Sequence, residues 1–527
     1  MNHKTIIIIG AAAVAALALA GWYLFRPKGS AVTVPQGAHA GDIFLKPCTA
    51  KTDGIKFAAD CGTLVVPENR ADPAARLIAL PVKRIHASNP APAEPIFHLE
   101  GGPGQSNITF NPPAWLLADH DIVLVGYRGV DGTPKLDCPE FVRAARGVDG
   151  NLLSPASLDA AGAAMAACAS RLQQQGVDLG GYTIPEVVED MESARQALGY
   201  ARIDLLSESY GTRVAQIYAY MHPGSLLRSA MIGVNPPGHF LWQPQVVDAQ
   251  VACYADLWQQ AAGPTAPDLV AAMRHVNADM PRRWLFLSID PGKVQIIAFV
   301  LLYHRSTAPM VFDTYLAAEK GDPSGLALMS LAYNLLMPKM MTWGEFFAIG
   351  SSADYEPGRD YRAELTRPGA VLGSPMSLLI WGSAAGHWPP IQMADEYRQV
   401  HPSDVETLLV SGSVDFSTPA QFAEQELLPS LRKGQHVVIA EQGHVNDFWG
   451  FQPEARQRLL TSFYATGTAD ASLYKYLPMD FKPAMRFPTL AKVLVAVSAL
   501  LLLGLVWTVW IILHRIVRRY VGLAKQP

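Results

Sequence analysis

Charge is scarce in this chain. Asp, Glu, Lys and Arg make up 17% of 527 residues, against 50% hydrophobic, and the formal net charge is −4. A nucleic-acid binder needs a basic stripe to displace counterions from phosphates, and this composition supplies no such excess. Cysteine is also sparse: there are five, with no C-x-x-C pair, and the 14 histidines include no H-E-x-x-H arrangement, so the usual zinc-ligand spacings are missing. No G-x-x-x-x-G-K-[ST] loop is present to cradle phosphates, and no internal repeat stands out. No metal, cofactor or nucleic-acid partner is therefore expected.

The apolar excess has two addresses. Ile6 to Phe25 is an uncharged stretch behind Lys4, and Val493 to Leu513 is a second one, followed by His514-Arg515 and Arg518-Arg519. Each is long enough to cross a bilayer core as a helix. The first reads either as a cleaved secretory signal, with small residues at Ala18-Leu19-Ala20, or as a retained anchor whose run continues through Gly21-Trp22-Tyr23-Leu24-Phe25. If both segments span, the termini share one side. The basic tail favours the cytoplasm for them, which leaves the intervening domain extracytoplasmic, periplasmic in a bacterial inner membrane. Cys48 with Cys61 and Cys138 with Cys168 are the expected disulfides, with Cys253 free, which suits an oxidising compartment; five reduced thiols are the alternative.

The chemistry begins at Leu205-Leu206-Ser207-Glu208-Ser209-Tyr210-Gly211-Thr212, where an apolar run stops at a serine boxed by small residues. Ile203, Leu205 and Leu206 fit a short buried strand, and Val214, Ile217, Tyr218 and Met221 fall on one face of a helix that His222-Pro223-Gly224 would end. A serine on such a strand-to-helix turn has its hydroxyl exposed and a helix N-terminus behind it. Ser207 stands where the G-x-S-x-G pattern has its first glycine.

Upstream, Ile96-Phe97-His98-Leu99 runs into Glu100-Gly101-Gly102-Pro103-Gly104. Backbone N–H groups can meet a developing oxyanion only where no side chain blocks the approach, so Gly102, with Tyr210 after the serine, is the expected donor pair. Downstream, the strand Thr407 to Gly412 delivers Asp415, and the strand His436 to Ala440 delivers Gly443-His444. The order Ser209, Asp415, His444 is that of an α/β-hydrolase triad, in which the histidine shuttles the serine proton and the acid fixes its tautomer. Asn107-Ile108-Thr109 also matches a glycosylation sequon.

Together with Asp121-Ile122-Val123-Leu124-Val125-Gly126-Tyr127-Arg128-Gly129, Ala197-Leu198-Gly199-Tyr200 and Gln442-Gly443-His444, these segments resemble the prolyl iminopeptidase and tripeptidyl aminopeptidase branch of the α/β-hydrolases. The resemblance covers roughly residues 45–240 and 400–465. It departs at Ser207 and at Gly126-Tyr127, where the family usually has an acidic residue and glutamine.

The resemblance implies a mostly parallel central sheet with helices on both faces; the Trp-, Leu- and Met-rich helical periodicity of 239–400 is expected to form a helical lid, and the two long apolar stretches are expected as flanking N- and C-terminal transmembrane helices. The expected divisions are a membrane or signal segment at 1–25, a linker at 26–47, core at 48–238, lid at 239–400, core again at 401–480, a transmembrane helix at 490–514 and a basic tail at 515–527, with Thr63 to Pro67 and Leu77 to Val82 as an antiparallel hairpin at the sheet edge, where proline is tolerated.

The resemblance implies a serine peptidase that releases N-terminal residues from peptides through an acyl-enzyme, and the apolar segments make it membrane-anchored. An esterase acting on apolar esters at the bilayer, and a non-catalytic binding protein of the same fold, are the alternatives. An aminopeptidase must hold a free ammonium. Glu100 and Glu208 beside the serine, and Glu345 and Glu356 in an aromatic part of the lid, are the carboxylates available for it.

Overall fold

The computed structural model describes residues 32–384 and 386–523; the stretch through Phe25, read above as an anchor or signal, lies outside them. The chain opens with three long strands, β1 (Ile43–Thr52), β2 (Ile55–Pro67) and β3 (Leu77–Ile85). Four short ones follow, β4 (Ile96–Leu99), β5 (Ile122–Val125), β6 (Ile203–Glu208) and β7 (Leu226–Ile232). A two-stranded hairpin, β8 (Arg283–Trp284) and β9 (Leu287–Ser288), stands apart, before β10 (Glu406–Gly412) and β11 (Gly434–Ile439) return to the sheet.

The nine sheet strands lie in the order β1-β2-β3-β5-β4-β6-β7-β10-β11. From β5 to β11 every pairing is parallel, whereas β1 to β3 and the β3–β5 pairing are antiparallel. This is the mostly parallel sheet of the α/β-hydrolase fold. Every residue of β4, β5 and β6 is buried, which is why those strands read as unbroken apolar runs. Alternate residues still serve opposite faces: Leu205 joins the apolar cluster under the helices Pro155–Gln174, Ile184–Ala197 and Tyr210–Met221. Leu206 joins the second cluster, under the helix Pro453–Thr466.

Two details differ from the sequence reading. β1 begins at Ile43, inside the stretch expected to be linker, because Ile43 to Thr52 pairs residue for residue with β2. The pair β2–β3 is consequently interior rather than at the edge. Pro81 is accommodated there because it lies at the end of the β3–β5 ladder, where its carbonyl accepts the Gly126 N–H at 2.8 Å.

Between β7 and β10 the chain is almost wholly helical, from Pro244–Ala262 through Pro375–Ala384. The last helix, Phe487–Leu523, contains a 29-residue stretch, Phe487–Arg515, with mean hydropathy 2.5 and none of its apolar window buried. Length and composition suffice to cross a membrane. Helix continues through most of the segment expected to be a basic tail. Its first turns are fixed to the domain by Arg486 on Asp313 at 2.8 Å, Lys492 on Asp322 at 2.6 Å and Ser324 Oγ donating to the Pro488 carbonyl at 3.2 Å.

Disulfides join Cys48 to Cys61, across the β1–β2 hairpin, and Cys138 to Cys168, while Cys253 is free and exposed. They close loops of 13 and 30 residues. Cross-links of that span restrict the unfolded chain by about 3 kcal/mol each. Reduction of the folded, detergent-solubilised protein should therefore lower its denaturant midpoint, and Cys138→Ser should lower it without reductant. An unchanged midpoint on reduction would contradict this.

Candidate active site

Ser209 sits at the end of β6, with φ +49° and ψ −117°, directly before the helix Tyr210–Met221. Such a conformation is costly for a residue with a Cβ and persists only where the surroundings enforce it. Two features do so here. The Ser209 N–H donates to the Ile232 carbonyl on β7 at 2.9 Å, and its own carbonyl accepts from the Thr212 hydroxyl at 2.6 Å. The helix can start this close to β4 only because position 211 is glycine, since a Cβ there would lie 2.1 Å from the Leu99 carbonyl oxygen. Ser207 fits in place of glycine by turning its buried hydroxyl onto the Ala230 carbonyl at 3.1 Å.

Asp415 and His444 reach the same end of the sheet from β10 and β11. His444 Nδ1 lies 2.8 Å and 3.0 Å from the two Asp415 oxygens. The aspartate is buried and further accepts the Ser417 N–H at 2.9 Å, the Thr418 N–H at 2.8 Å and the Thr418 hydroxyl at 2.9 Å. An ionised carboxylate with that many donors is held in one orientation. His444 is placed by its N–H donating to the Tyr303 carbonyl at 2.6 Å and by the Tyr303 ring packed edge-on at 5.4 Å. Asp447 secures the loop by accepting the Gly443 N–H at 2.7 Å and the Arg305 N–H at 2.8 Å; burial pushes its carboxyl up to about 6.

The glycine loop after β4 passes over the serine, a Cβ on Gly101 lying 3.2 Å from Ser209 Cβ. Gly102 is held at φ +122°, a region that side chains rarely enter. Tyr127, one of the two departures from the family pattern, supports this loop: its hydroxyl donates to the Glu100 carbonyl at 3.0 Å. Asn107 supports it too, with Oδ1 accepting the Glu100 N–H at 2.8 Å and Nδ2 donating to the His98 and Val125 carbonyls. Fully buried and committed on both sides, Asn107 is a brace between β4 and β5, not an accessible sequon.

Ser209, His444, Glu100, Glu208, Gly101 and Gly102 line one cavity of about 270 Å³. Its far wall is apolar and comes from the β7–β10 insertion, including Trp242, Met337, Trp343, Phe346, Met376 and Trp381. The two glutamates face each other across the loop. Glu208 accepts from Trp449 Nε1 at 2.7 Å and lies 3.5 Å from His98 Nε2, and Glu100 accepts the Gly101 N–H at 2.9 Å. Burial, then the Glu208 charge, raise the Glu100 carboxyl above its ordinary value. His98 is fully buried, stacked on Phe110 at 3.6 Å, with neither ring nitrogen hydrogen-bonded. His98, Glu100 and Glu208 bring one ligand atom each within 4.8 Å of one another, so the cluster has the donors to hold a cation.

The other two carboxylates are placed differently. Glu356 is exposed in the turn after the helix Trp343–Asp354, 3.4 Å from Arg359, and lies outside the cavity; adjacency in sequence to buried aromatics does not carry across the helix end. Glu345 is fully buried behind the glycine loop and does not line the cavity either. Burial pushes its carboxyl up to about 8, the nearby Gly104 N–H and the Asp131 charge counting for less. Sequence reading did not single out His98, Trp449, Tyr303 or His304, the last on the cavity wall and pushed down to about 4 by burial and by His444. Histidine and aromatic residues outside a recognisable motif carry no spacing signal.

The displacement of Glu345 has a stability consequence. In the fold it keeps its proton up to about 8, whereas the unfolded chain releases it near 4.5, so the folded state binds more protons between those values. Its contribution to stability is complete below the lower value and is lost as pH rises through the upper one. Glu345→Gln should therefore flatten the decline of thermal stability between about pH 4.5 and about pH 8. An identical decline in the variant would refute this.

Two known proteins are similar in sequence, the tripeptidyl aminopeptidases of Streptomyces lividans and Streptomyces coelicolor (strain ATCC BAA-471 / A3(2) / M145). Each is 27% identical over 328 residues, covering 55% of this chain and 59% of the relative. The chain thus matches about three fifths of the length of these relatives. No protein-family model matches. Among solved structures, a serine hydrolase of the polyaromatic-hydrocarbon-degrading bacterium Cycloclasticus zankles aligns with TM-score 0.36 and 11% identity, over 80% of this chain and 99% of that one. An esterase from Thermogutta terrifontis aligns with TM-score 0.34 and 12% identity, over 77% and 98%. The sequence relatives, with the sheet described above, support an α/β-hydrolase of the serine peptidase-like family.

Proposed function

We propose that this α/β-hydrolase is a serine aminopeptidase held at a membrane by its C-terminal helix. Ser209 Oγ attacks the carbonyl of the scissile amide while His444 takes its proton, and Asp415 stabilises the imidazolium that forms. The N–H groups of Tyr210 and Gly102 receive the oxyanion. His444 then protonates the leaving amine, and water, deprotonated by the same histidine, releases the acyl group and restores Ser209. The helical insertion acts as a lid whose apolar wall accepts side chains and excludes water.

The observation that carries the peptidase reading is the pair Glu100 and Glu208, two carboxylates lining the cavity that holds Ser209. Burying like charges side by side is unfavourable unless a cation joins them. The free N-terminal ammonium of a peptide is such a cation, and it would arrive within reach of the serine. An esterase for neutral esters gains nothing from them. The esterase reading keeps one supporting feature, the breadth of the apolar wall. Membrane anchoring is supported by the exposed apolar helix Phe487–Arg515, and an extracytoplasmic site by the two disulfides.

Turnover of aminoacyl and N-acylated chromogenic substrates tests this. Ser209→Ala or His444→Ala should lower kcat on the order of 10⁴-fold or more. Glu100→Gln and Glu208→Gln should each lower kcat/KM for free-amine substrates on the order of 10²-fold, with little change for N-blocked esters. Wild-type preference for blocked esters, unaltered in the glutamine variants, would replace the peptidase reading by the esterase one.

A further inference from the structure

The hairpin β8–β9 projects two large apolar side chains with nothing to cover them: Leu285 is 59% exposed and Phe286 70%. Leu285 also holds φ +52°, a left-handed conformation unusual for a branched apolar residue. The two-residue hairpin turn between Trp284 and Leu287 requires that conformation at its first position, so the conformation follows from the turn and the exposure of the two side chains is the feature left to explain. Just before the tip, Arg282 and Arg283 are exposed, and neither meets a carboxylate among the described residues; Arg282 reaches only as far as the Gly150 carbonyl at 3.4 Å.

The hairpin does not stand alone. It packs against the helix Ser324–Leu336, and Asp290, two residues beyond β9, is tied there by its N–H donating to Ser330 Oγ at 3.1 Å. The exposed face of that helix and its extension is itself apolar: Leu331, Leu335, Leu336 and Met340 are between 38% and 60% exposed. The same helix packs along the first turns of Phe487–Leu523. Its extension lines the Ser209 cavity through Met337, Met340 and Met341. One continuous element therefore joins the membrane-crossing helix, an exposed apolar surface and the wall of the cavity.

Single exposed apolar residues are ordinary, but a contiguous set marks a contact surface. We propose that the Leu285–Phe286 tip and the apolar end of Ser324–Leu336 dip into the bilayer surface beside the C-terminal helix, with Arg282 and Arg283 on anionic lipid headgroups. This rests on the membrane reading of Phe487–Arg515. A bilayer fits better than a protein partner because arginines beside exposed Leu and Phe match the layering of headgroup over acyl chain. The contact seats the cavity wall at the lipid surface, so substrates are drawn from peptides or acyl groups concentrated there.

The test uses the full chain carrying Cys253→Ser, in lipid nanodiscs of phosphatidylcholine with or without phosphatidylglycerol. An environment-sensitive fluorophore is placed singly through Phe286→Cys, Val438→Cys on β11, or Leu502→Cys in the C-terminal helix. The labels at 286 and 502 should be blue-shifted and quenched by spin-labelled lipid, and the label at 438 should not. Phosphatidylglycerol should deepen quenching at 286, and Arg282→Gln with Arg283→Gln should remove that increment. A water-like, unquenched signal at 286 alongside quenching at 502 overturns the proposal, and leaves the hydrolase reading intact if Ser209 still reacts with a fluorophosphonate. Blue shift at 286 without lipid quenching assigns the surface to protein and overturns it equally. No quenching at 502 removes the membrane reading and the proposal together.

Discussion

A serine held at φ +49° costs on the order of 1–3 kcal/mol, and the geometry of the site follows from how that turn is enforced. β6 ends where its ladder to β7 ends, and the helix behind it starts within van der Waals reach of β4 because Gly211 has no side chain. The Ser209 N–H is thereby committed to Ile232, which leaves the hydroxyl facing the cavity and the N–H of the next residue at a helix start. β10 and β11 then only have to end on the same side for Asp415 and His444 to arrive.

The second constraint is electrostatic. Glu100 and Glu208 are kept close by the backbone that builds the glycine loop, so neither can retreat to water without moving Gly101 or β6. Tyr127, Asn107 and Trp449 hold the loop and the carboxylates in place. Such a cluster is poised for a positively charged group, and the apolar wall opposite gives that group's substituents somewhere to lie. In the proposed function, Glu100 for the ammonium and Gly102 for the oxyanion would stand two residues apart on one loop, with Glu208 reaching it from β6.

Much of this is legible in the sequence because it depends on local rules. The unbroken apolar run before Ser209, the helical period after it and the paired glycines at Gly101-Gly102 are each a backbone requirement written in residue type. The order of Ser209, Asp415 and His444 follows from strands delivering residues to one edge. What was not legible depends on three-dimensional neighbours. Glu345 and Glu356 lie eleven residues apart in one apparent aromatic segment, yet one is fully buried behind the loop and the other is in solvent. His98 sits inside the buried apolar run of β4 and carries no motif. The proline-bearing pair β2–β3 read as an edge because β1 lies in a stretch whose composition resembles linker.

The proposed chemistry requires Ser209 to be an activated nucleophile. Treating the folded, detergent-solubilised protein with a fluorophosphonate and mapping the adduct by mass spectrometry measures this directly. One covalent adduct is expected, on the peptide containing Ser209. No adduct on well-folded protein, or an adduct on a different residue, would contradict it.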